Sequence, residues 1–173
     1  MLFDDADYRK EKHPSNNWDI FGADTAVETL RAHIASGLIN RSYMFIGPSG
    51  IGKSRLAMRF AQSVFAPLAN DPTSPDLNNE TAHRIEAGEF GDIHFITASE
   101  DSKTGRSKTT DIRQFIRSAD LKPFNSKHRF VIFEADIASE AGRNATLKFL
   151  EEPPSDTTLI IITDSPSSFP ATI

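Results

Sequence analysis

Eight consecutive residues in the first third of the chain have the types and spacing needed to hold a phosphate group. They follow the pattern Gly-x-x-x-x-Gly-Lys-Ser and are Gly47, Pro48, Ser49, Gly50, Ile51, Gly52, Lys53 and Ser54. Glycines let the backbone curl so that successive N–H groups point at one cluster of oxygens. In this pattern the lysine reaches the β- and γ-phosphates of a nucleotide, and the serine hydroxyl binds Mg²⁺. We therefore predict that the loop binds ATP and Mg²⁺.

The residues on either side of this loop decide between that interpretation and a glycine-rich turn that matches by chance. A short apolar run, 43–46, precedes the loop and is predicted to be a buried strand. Residues 53–65 follow it, with apolar side chains at helical spacing. A helix beginning there directs the positive end of its dipole at the loop. This strand–loop–helix order favours the phosphate-binding interpretation.

Nucleotide hydrolysis also needs a carboxylate at the end of a neighbouring strand, to hold Mg²⁺ and to orient water. The apolar run 130–133 leads directly to Glu134, and Asp136 follows two residues later. Glu134 is the candidate for orienting the attacking water, or for holding the metal through a water. Asp136 is a candidate metal ligand. The alternative for Glu134 is an acid at a strand end that simply faces solvent.

Apolar strands alternate with amphipathic helices along the chain. Strands are predicted over 43–46, 93–97, 129–133 and 158–163, and helices over 24–37, 53–65, 81–88, 111–121 and 139–150. Strands that are apolar on both faces need cover on both sides, which is typical of a parallel sheet between two helical layers. The sequence therefore predicts an α/β, three-layer fold with a central parallel sheet. The proline-rich stretch 66–80 shows no packing signal and is predicted to be a surface loop.

Composition indicates one globular domain without a membrane segment. Of the 173 residues, 38% are hydrophobic and 25% are charged, and none is cysteine, which excludes disulfides and thiolate zinc sites. No apolar run approaches the roughly 20 residues that span a bilayer, and the N-terminus does not resemble a secretory signal. The net charge of −5 argues against strong DNA binding by this domain alone. We predict a cytoplasmic location and no membrane partner.

A second segment resembles a known family. Residues 144–154 read Asn-Ala-Thr-Leu-Lys-Phe-Leu-Glu-Glu-Pro-Pro. They resemble the Asn-Ala-Leu-Leu-Lys-x-Leu-Glu-Glu-Pro-Pro segment of bacterial clamp-loader ATPases, the delta-prime and gamma/tau subunits of DNA polymerase III. Residues 18–22, 42–48, 163–164 and 169–173 also resemble that family. The resemblance extends from about residue 18 to the last residue.

The resemblance implies a P-loop NTPase domain of the AAA+ type. This domain would cover residues 18–173, after an N-terminal extension over 1–17, and Thr163 would be its sensor-1 residue. In the family the chain continues with Ser-Arg-Cys and with lid and collar domains, so we expect a longer protein. The partners implied are the other clamp-loader subunits (gamma/tau and delta), with primed DNA contacted indirectly through the assembly. The isolated domain is expected to be monomeric.

Two departures from the family pattern bear on the choice of subunit. Glu134 falls on the Glu of the family's Asp-Glu pair, and Phe133 falls on the Asp that holds Mg²⁺. Residues 66–92 contain no cysteine, whereas gamma/tau subunits usually carry a four-cysteine zinc module there. Both departures favour a delta-prime subunit with weak or absent ATPase activity. The alternatives are a gamma/tau motor ATPase and a freestanding P-loop kinase or ATPase, for which 98–110 is the only candidate substrate region.

Overall fold

Helices and strands alternate along the residues that the computed structural model describes, which are 18–97, 123–124, 126–135, 154 and 156–165. The helices are α1 (Asp24–Ser36), α2 (Lys53–Phe65) and α3 (Glu80–Glu86). The strands are β1 (Ser42–Ile46), β2 (Pro67–Leu68), β3 (Asp71–Pro75), β4 (Ile93–Thr97), β5 (Arg129–Glu134) and β6 (Thr157–Thr163). The positions of all four predicted strands and of the first three predicted helices are confirmed within one or two residues. The prediction that 43–46 is a buried strand was wrong in one respect: β1 is only partly buried, and its last residue, Ile46, is 52% exposed. The predicted helices over 111–121 and 139–150 lie outside the described residues.

Four strands form one parallel sheet in the order β1-β6-β5-β4. Every residue of β6 is buried, because β6 lies between β1 and β5. The predicted α/β fold with a central parallel sheet is therefore confirmed. Because β6 is inserted beside β1, the carboxyl ends of β1, β6 and β5 lie next to one another. Ligands of open parallel sheets bind at this edge.

Aromatic contacts hold α2 against the sheet. Phe60 of α2 is fully buried, and its ring meets Phe130 of β5 edge-on with 5.3 Å between centroids. The ring of Tyr43 on β1 meets Phe60 in the same way at 5.1 Å. Such pairs contribute about 0.5–1.5 kcal/mol each beyond the burial of their surface. They fix the position of α2, and hence of the loop that joins β1 to α2.

The expectation of a surface loop over 66–80 was wrong for its central part. Strands β2 and β3 pair there as an antiparallel ribbon. The ribbon is held by polar contacts: Trp18 Nε1 donates to the carbonyl of Thr73 at 3.2 Å, and Arg31 pairs with Asp71 at 3.1 Å. Ser74 is fully buried. The ribbon packs because its polar groups find partners, and hydrophobic periodicity does not detect such contacts.

None of the helices in the described part of the chain has the length and apolar character needed to cross a membrane.

Candidate functional site

The loop between β1 and α2 turns sharply from the strand into the first turn of the helix. It begins beside β6, where the Gly47 N–H donates to the carbonyl of Thr163 at 3.2 Å. Gly50 and Gly52 have φ angles of 81° and 93°, in the left-handed region that favours glycine. Gly52 is also the N-cap of α2, and its carbonyl accepts the first helical hydrogen bond, from Leu56 at 2.9 Å. The local structure expected of a phosphate-binding loop is therefore present.

The side chain of Ile51 lies close to the first glycine of the loop. A Cβ atom placed on Gly47 would lie 2.6 Å from Cδ1 of Ile51. The side chain of Ile51 is 59% exposed and folds back over the start of the loop. The contacted atom is the far end of an exposed, flexible side chain that can move aside, so this contact alone does not require glycine at position 47.

The ammonium of Lys53 lies inside the loop. It donates hydrogen bonds to the carbonyls of Gly47 and Pro48, the second at 2.9 Å. It also forms an ion pair with Asp164 at 2.7 Å from Nζ to Oδ1. The Lys53 side chain is only 10% exposed, whereas that of Asp164 is 45% exposed. The cation is thus held at the carboxyl edge of the sheet, between the loop and the end of β6.

Ser54 contacts the end of β5. Its hydroxyl donates to Oε1 of Glu134 at 2.9 Å, across 80 residues of sequence. Side chains alternate along a strand, so Glu134 and Phe133 point to opposite faces of the sheet. Phe133 is fully buried on its face. Glu134 therefore stands beside the serine predicted to bind the metal, and Phe133 does not. Asp136, the other candidate ligand, lies outside the described residues.

Thr163 shapes the turn that follows β6. Its side chain is fully buried, and its hydroxyl donates to the carbonyl of Ser165 at 2.9 Å and accepts from the Ser165 N–H at 3.2 Å. This turn presents Asp164 to Lys53. Asp164 received no role from the sequence, although an acid directly after an apolar strand is the same signal that identified Glu134.

Comparison with known proteins assigns the chain to a family. The family model described as DNA polymerase III, delta subunit, matches residues 22–173. The chain belongs to this family. The predicted resemblance to subunits of DNA polymerase III is thereby confirmed, and the match does not separate delta-prime from gamma/tau.

Two relatives illustrate the similarity of this chain to the family. The tau/gamma subunit of Haemophilus influenzae is 28% identical over 161 residues, which cover 92% of this chain and 22% of the relative. The gamma/tau subunit of Mycobacterium tuberculosis (strain H37Rv) is 31% identical over 168 residues, which cover 96% of this chain and 28% of the relative. The chain thus spans about a quarter of the length of these relatives.

A solved structure supports the fold of this polymerase III family member. The crystal structure of a DNA polymerase III gamma subunit-related protein from Thermotoga maritima superposes with a TM-score of 0.54. The match covers 85% of this chain and 42% of that one, at 19% identity. The likeness agrees with the predicted three-layer AAA+ architecture.

Two described side chains beside the loop, Ser54 and Glu134, have oxygens able to contact a metal ion. Among the described residues, no group of three or more His, Cys, Asp or Glu side chains could hold a metal ion by itself. Mg²⁺ commonly takes one or two protein oxygens and fills its other positions with phosphate and water. Ser54 and Glu134 can supply such oxygens.

Proposed function

We propose that this chain is the nucleotide-binding domain of a clamp-loader subunit of DNA polymerase III, and that it binds ATP together with Mg²⁺. The observation that carries the proposal is the position of Lys53 and Ser54. They begin α2 directly after a loop with two left-handed glycines, beside the carboxyl ends of β1, β6 and β5. The family match supplies the polymerase III context.

The side chains of the site suit a nucleoside triphosphate and its cation. The loop N–H groups and the N-terminus of α2 would bind phosphate oxygens, and Lys53 would contact the outer phosphates. Ser54 would be a metal ligand, and Glu134 would hold the metal directly or through water. A bound Mg²⁺ supplies positive charge that offsets the charge of the phosphates. The cradle is formed by Gly47, Pro48, Ser49, Gly50, Ile51 and Gly52.

We further propose that hydrolysis by this domain is slow. Phe133 occupies the family position of the metal-binding aspartate and faces the other side of the sheet. Among the described residues Glu134 is the carboxylate beside Ser54, so without a contribution from Asp136 one group would have to serve both metal and water. Slow hydrolysis suits a delta-prime subunit, in which Thr163 would retain the sensor-1 position. Release of inorganic phosphate should stay near the uncatalysed background, and turnover typical of an active ATPase would contradict this proposal.

The second candidate is a gamma/tau motor subunit. It is favoured by the relatives, which are named tau and gamma. The absence of cysteine from 66–92 and the presence of Phe133 favour delta-prime instead. In this chain the polar β2–β3 ribbon lies in that region without a zinc ligand set. A freestanding kinase is disfavoured by the family match, and its candidate region 98–110 lies outside the described residues.

The partners follow from the clamp-loader proposal. The domain, over 18–173, would assemble with gamma/tau and delta subunits and would contact primed DNA through the assembly, in the cytoplasm. Its role would be to support ATP-driven loading of the sliding clamp during replication. On its own the domain would be monomeric.

A titration with a fluorescent ATP analogue, with and without Mg²⁺, tests the central claim. Lys53→Ala should weaken binding about ten- to a hundredfold, because hydrogen bonds to a charged group are worth about 1.5–3 kcal/mol. Lys127→Ala is the matched control, since this exposed lysine precedes β5 at the opposite edge of the sheet. Equal binding by the wild type and Lys53→Ala would overturn the proposal.

A further inference from the structure

Every N–H donor of the Lys53 ammonium group has an acceptor in this structure. An ammonium group carries three N–H donors. Its three acceptors are the carbonyls of Gly47 and Pro48 and the carboxylate of Asp164. A phosphate oxygen can therefore bind Lys53 only if one of these acceptors leaves or is shared.

Asp164 is the acceptor that a phosphate is best suited to replace. The two carbonyls are neutral and belong to the loop itself, whereas Asp164 lies on a separate segment, the turn after β6. Its carboxylate and a phosphate have the same sign of charge, so they compete for the same cation and repel each other when both are near it. At 45% exposed, the Asp164 side chain can exchange its partner for water.

The pairing of β1 with β6 fixes the position of Asp164 beside the loop. Ile46, the last residue of β1, pairs with Thr163, the last residue of β6. The next residue on each strand is therefore Gly47 of the loop and Asp164 of the turn. The Thr163 hydroxyl bonds to Ser165 on the far side of Asp164 and shapes that turn. The carboxylate is held beside the loop by adjacent strands.

We propose that Asp164 is an intramolecular competitor of nucleotide phosphate for Lys53, and that it lowers the affinity of this site for ATP. The inference rests on the proposed function, because it concerns the same loop. Nucleotide binding would release Asp164 from Lys53 and so would couple the loop to the turn over 163–165. Asp164 is here a positioning residue and takes no part in chemistry.

Asp164→Asn is the direct test, because it removes the charge and keeps the shape of the side chain. Binding of the fluorescent ATP analogue should tighten about two- to fivefold, which corresponds to roughly 0.4–1 kcal/mol and lies within the range for a partly exposed ion pair. Glu89→Gln is the control, because it makes the same change of net charge far from the loop. Glu89 is exposed and precedes β4, at the edge of the sheet where the strands begin. This control should leave the affinity unchanged. Asp164→Ser repeats the test with a different side chain, and thermal melting verifies that each variant is folded.

A double-mutant cycle separates competition from a general charge effect. In a Lys53→Ala background, Asp164→Asn should no longer tighten binding, because the cation for which the two groups compete is gone. If the wild type binds in a Lys53-dependent manner and neither Asp164 variant binds more tightly, the competition is refuted and the proposed function stands. Equal tightening by Glu89→Gln also refutes it. If the wild type and Lys53→Ala bind equally, both proposals are wrong.

Discussion

The hydroxyl of Ser54 donates a hydrogen bond of 2.9 Å to Oε1 of Glu134, which joins the first turn of α2 to the carboxyl end of β5. This contact places the carboxylate of β5 next to the residue that would bind Mg²⁺. The neighbouring Phe133 points into the opposite, apolar side of the sheet. Phe133, which the family resemblance aligns with the metal-binding Asp, is thus part of the buried apolar packing, and Glu134 is the acid of β5 that contacts Ser54.

Restoring the family residue by Phe133→Asp should damage the protein without building a metal site. The substitution removes a fully buried ring and places a carboxylate between apolar strands, at a cost of at least about 3 kcal/mol. Urea denaturation should show this loss, with Phe133→Leu as an apolar control that costs clearly less. A stable Phe133→Asp protein with stronger Mg²⁺-dependent nucleotide binding would show that position 133 can reach the metal.

Alanine substitutions at two glycines with similar backbone angles should distinguish an effect on stability from an effect on ATP binding. Gly37 ends α1 at a φ of 68° and Gly52 begins α2 at a φ of 93°, and a Cβ on either would meet open space. Alanine at each position should cost about 1 kcal/mol through backbone strain alone. We expect similar losses in denaturation experiments, but weaker ATP binding only for Gly52→Ala. Equal ATP binding by both variants would argue against a role for the loop.

Asp71 should stabilise the β2–β3 ribbon. Its carboxylate accepts from the hydroxyls of Thr73 at 2.6 Å and of buried Ser74 at 2.7 Å, and pairs with Arg31. Asp71→Ala should cost about 1–3 kcal/mol, because Ser74 loses its buried acceptor. Asp76→Ala, which affects an exposed turn, is the control and should cost much less. Equal losses in thermal melting would show that the ribbon does not depend on this network.

Because the pKa of Asp71 is lowered in the folded protein, we expect the protein to lose stability in acid. Burial would raise the pKa of Asp71, but the hydrogen bonds from Thr73 and Ser74 and the charge of Arg31 outweigh it and hold the pKa below its ordinary value. The charged form is therefore favoured by folding. Its stabilisation is present above about pH 3.9 and is lost as the pH falls through the lowered pKa. Asp71→Ala should flatten this part of the stability profile, and urea denaturation between neutral and acid pH measures it.

His128 should make stability depend on pH nearer to neutrality. Burial lowers the pKa of His128, although the charge of Asp156 opposes the shift. The unfolded chain then binds a proton more readily, so stability is complete above about pH 6.5 and declines as the pH falls below it. His128→Gln keeps a group that can hydrogen-bond to the Thr158 hydroxyl, which lies 2.9 Å from His128 Nε2, and should reduce the decline. Melting curves from about pH 7.5 to 5 measure it, with exposed His83→Gln as the control. A decline of the same size in His128→Gln would assign it to other groups.

The sequence by itself determined the features that depend only on residues close together in the chain. Apolar runs predicted β5 and β6, because a strand buried on both faces needs an uninterrupted apolar stretch. The same signal found β1, although β1 is only partly buried. The spacing of Gly47, Gly52 and Lys53 predicted the loop, because left-handed backbone angles and a helix start are local properties. The acid at the end of β5 was recognised for the same reason, although its contact with Ser54 was not.

The tertiary structure decided which segments meet. Lys53 pairs with Asp164, 111 residues later, only because β6 lies beside β1, and three equally apolar strands do not reveal their order. The β2–β3 ribbon depends on Trp18 and Arg31, and polar residues without a hydrophobic period do not predict such partners. Periodicity records which face of an element is buried. The choice of hydrogen-bond and ion-pair partners depends on distant parts of the chain, and only folding brings those together.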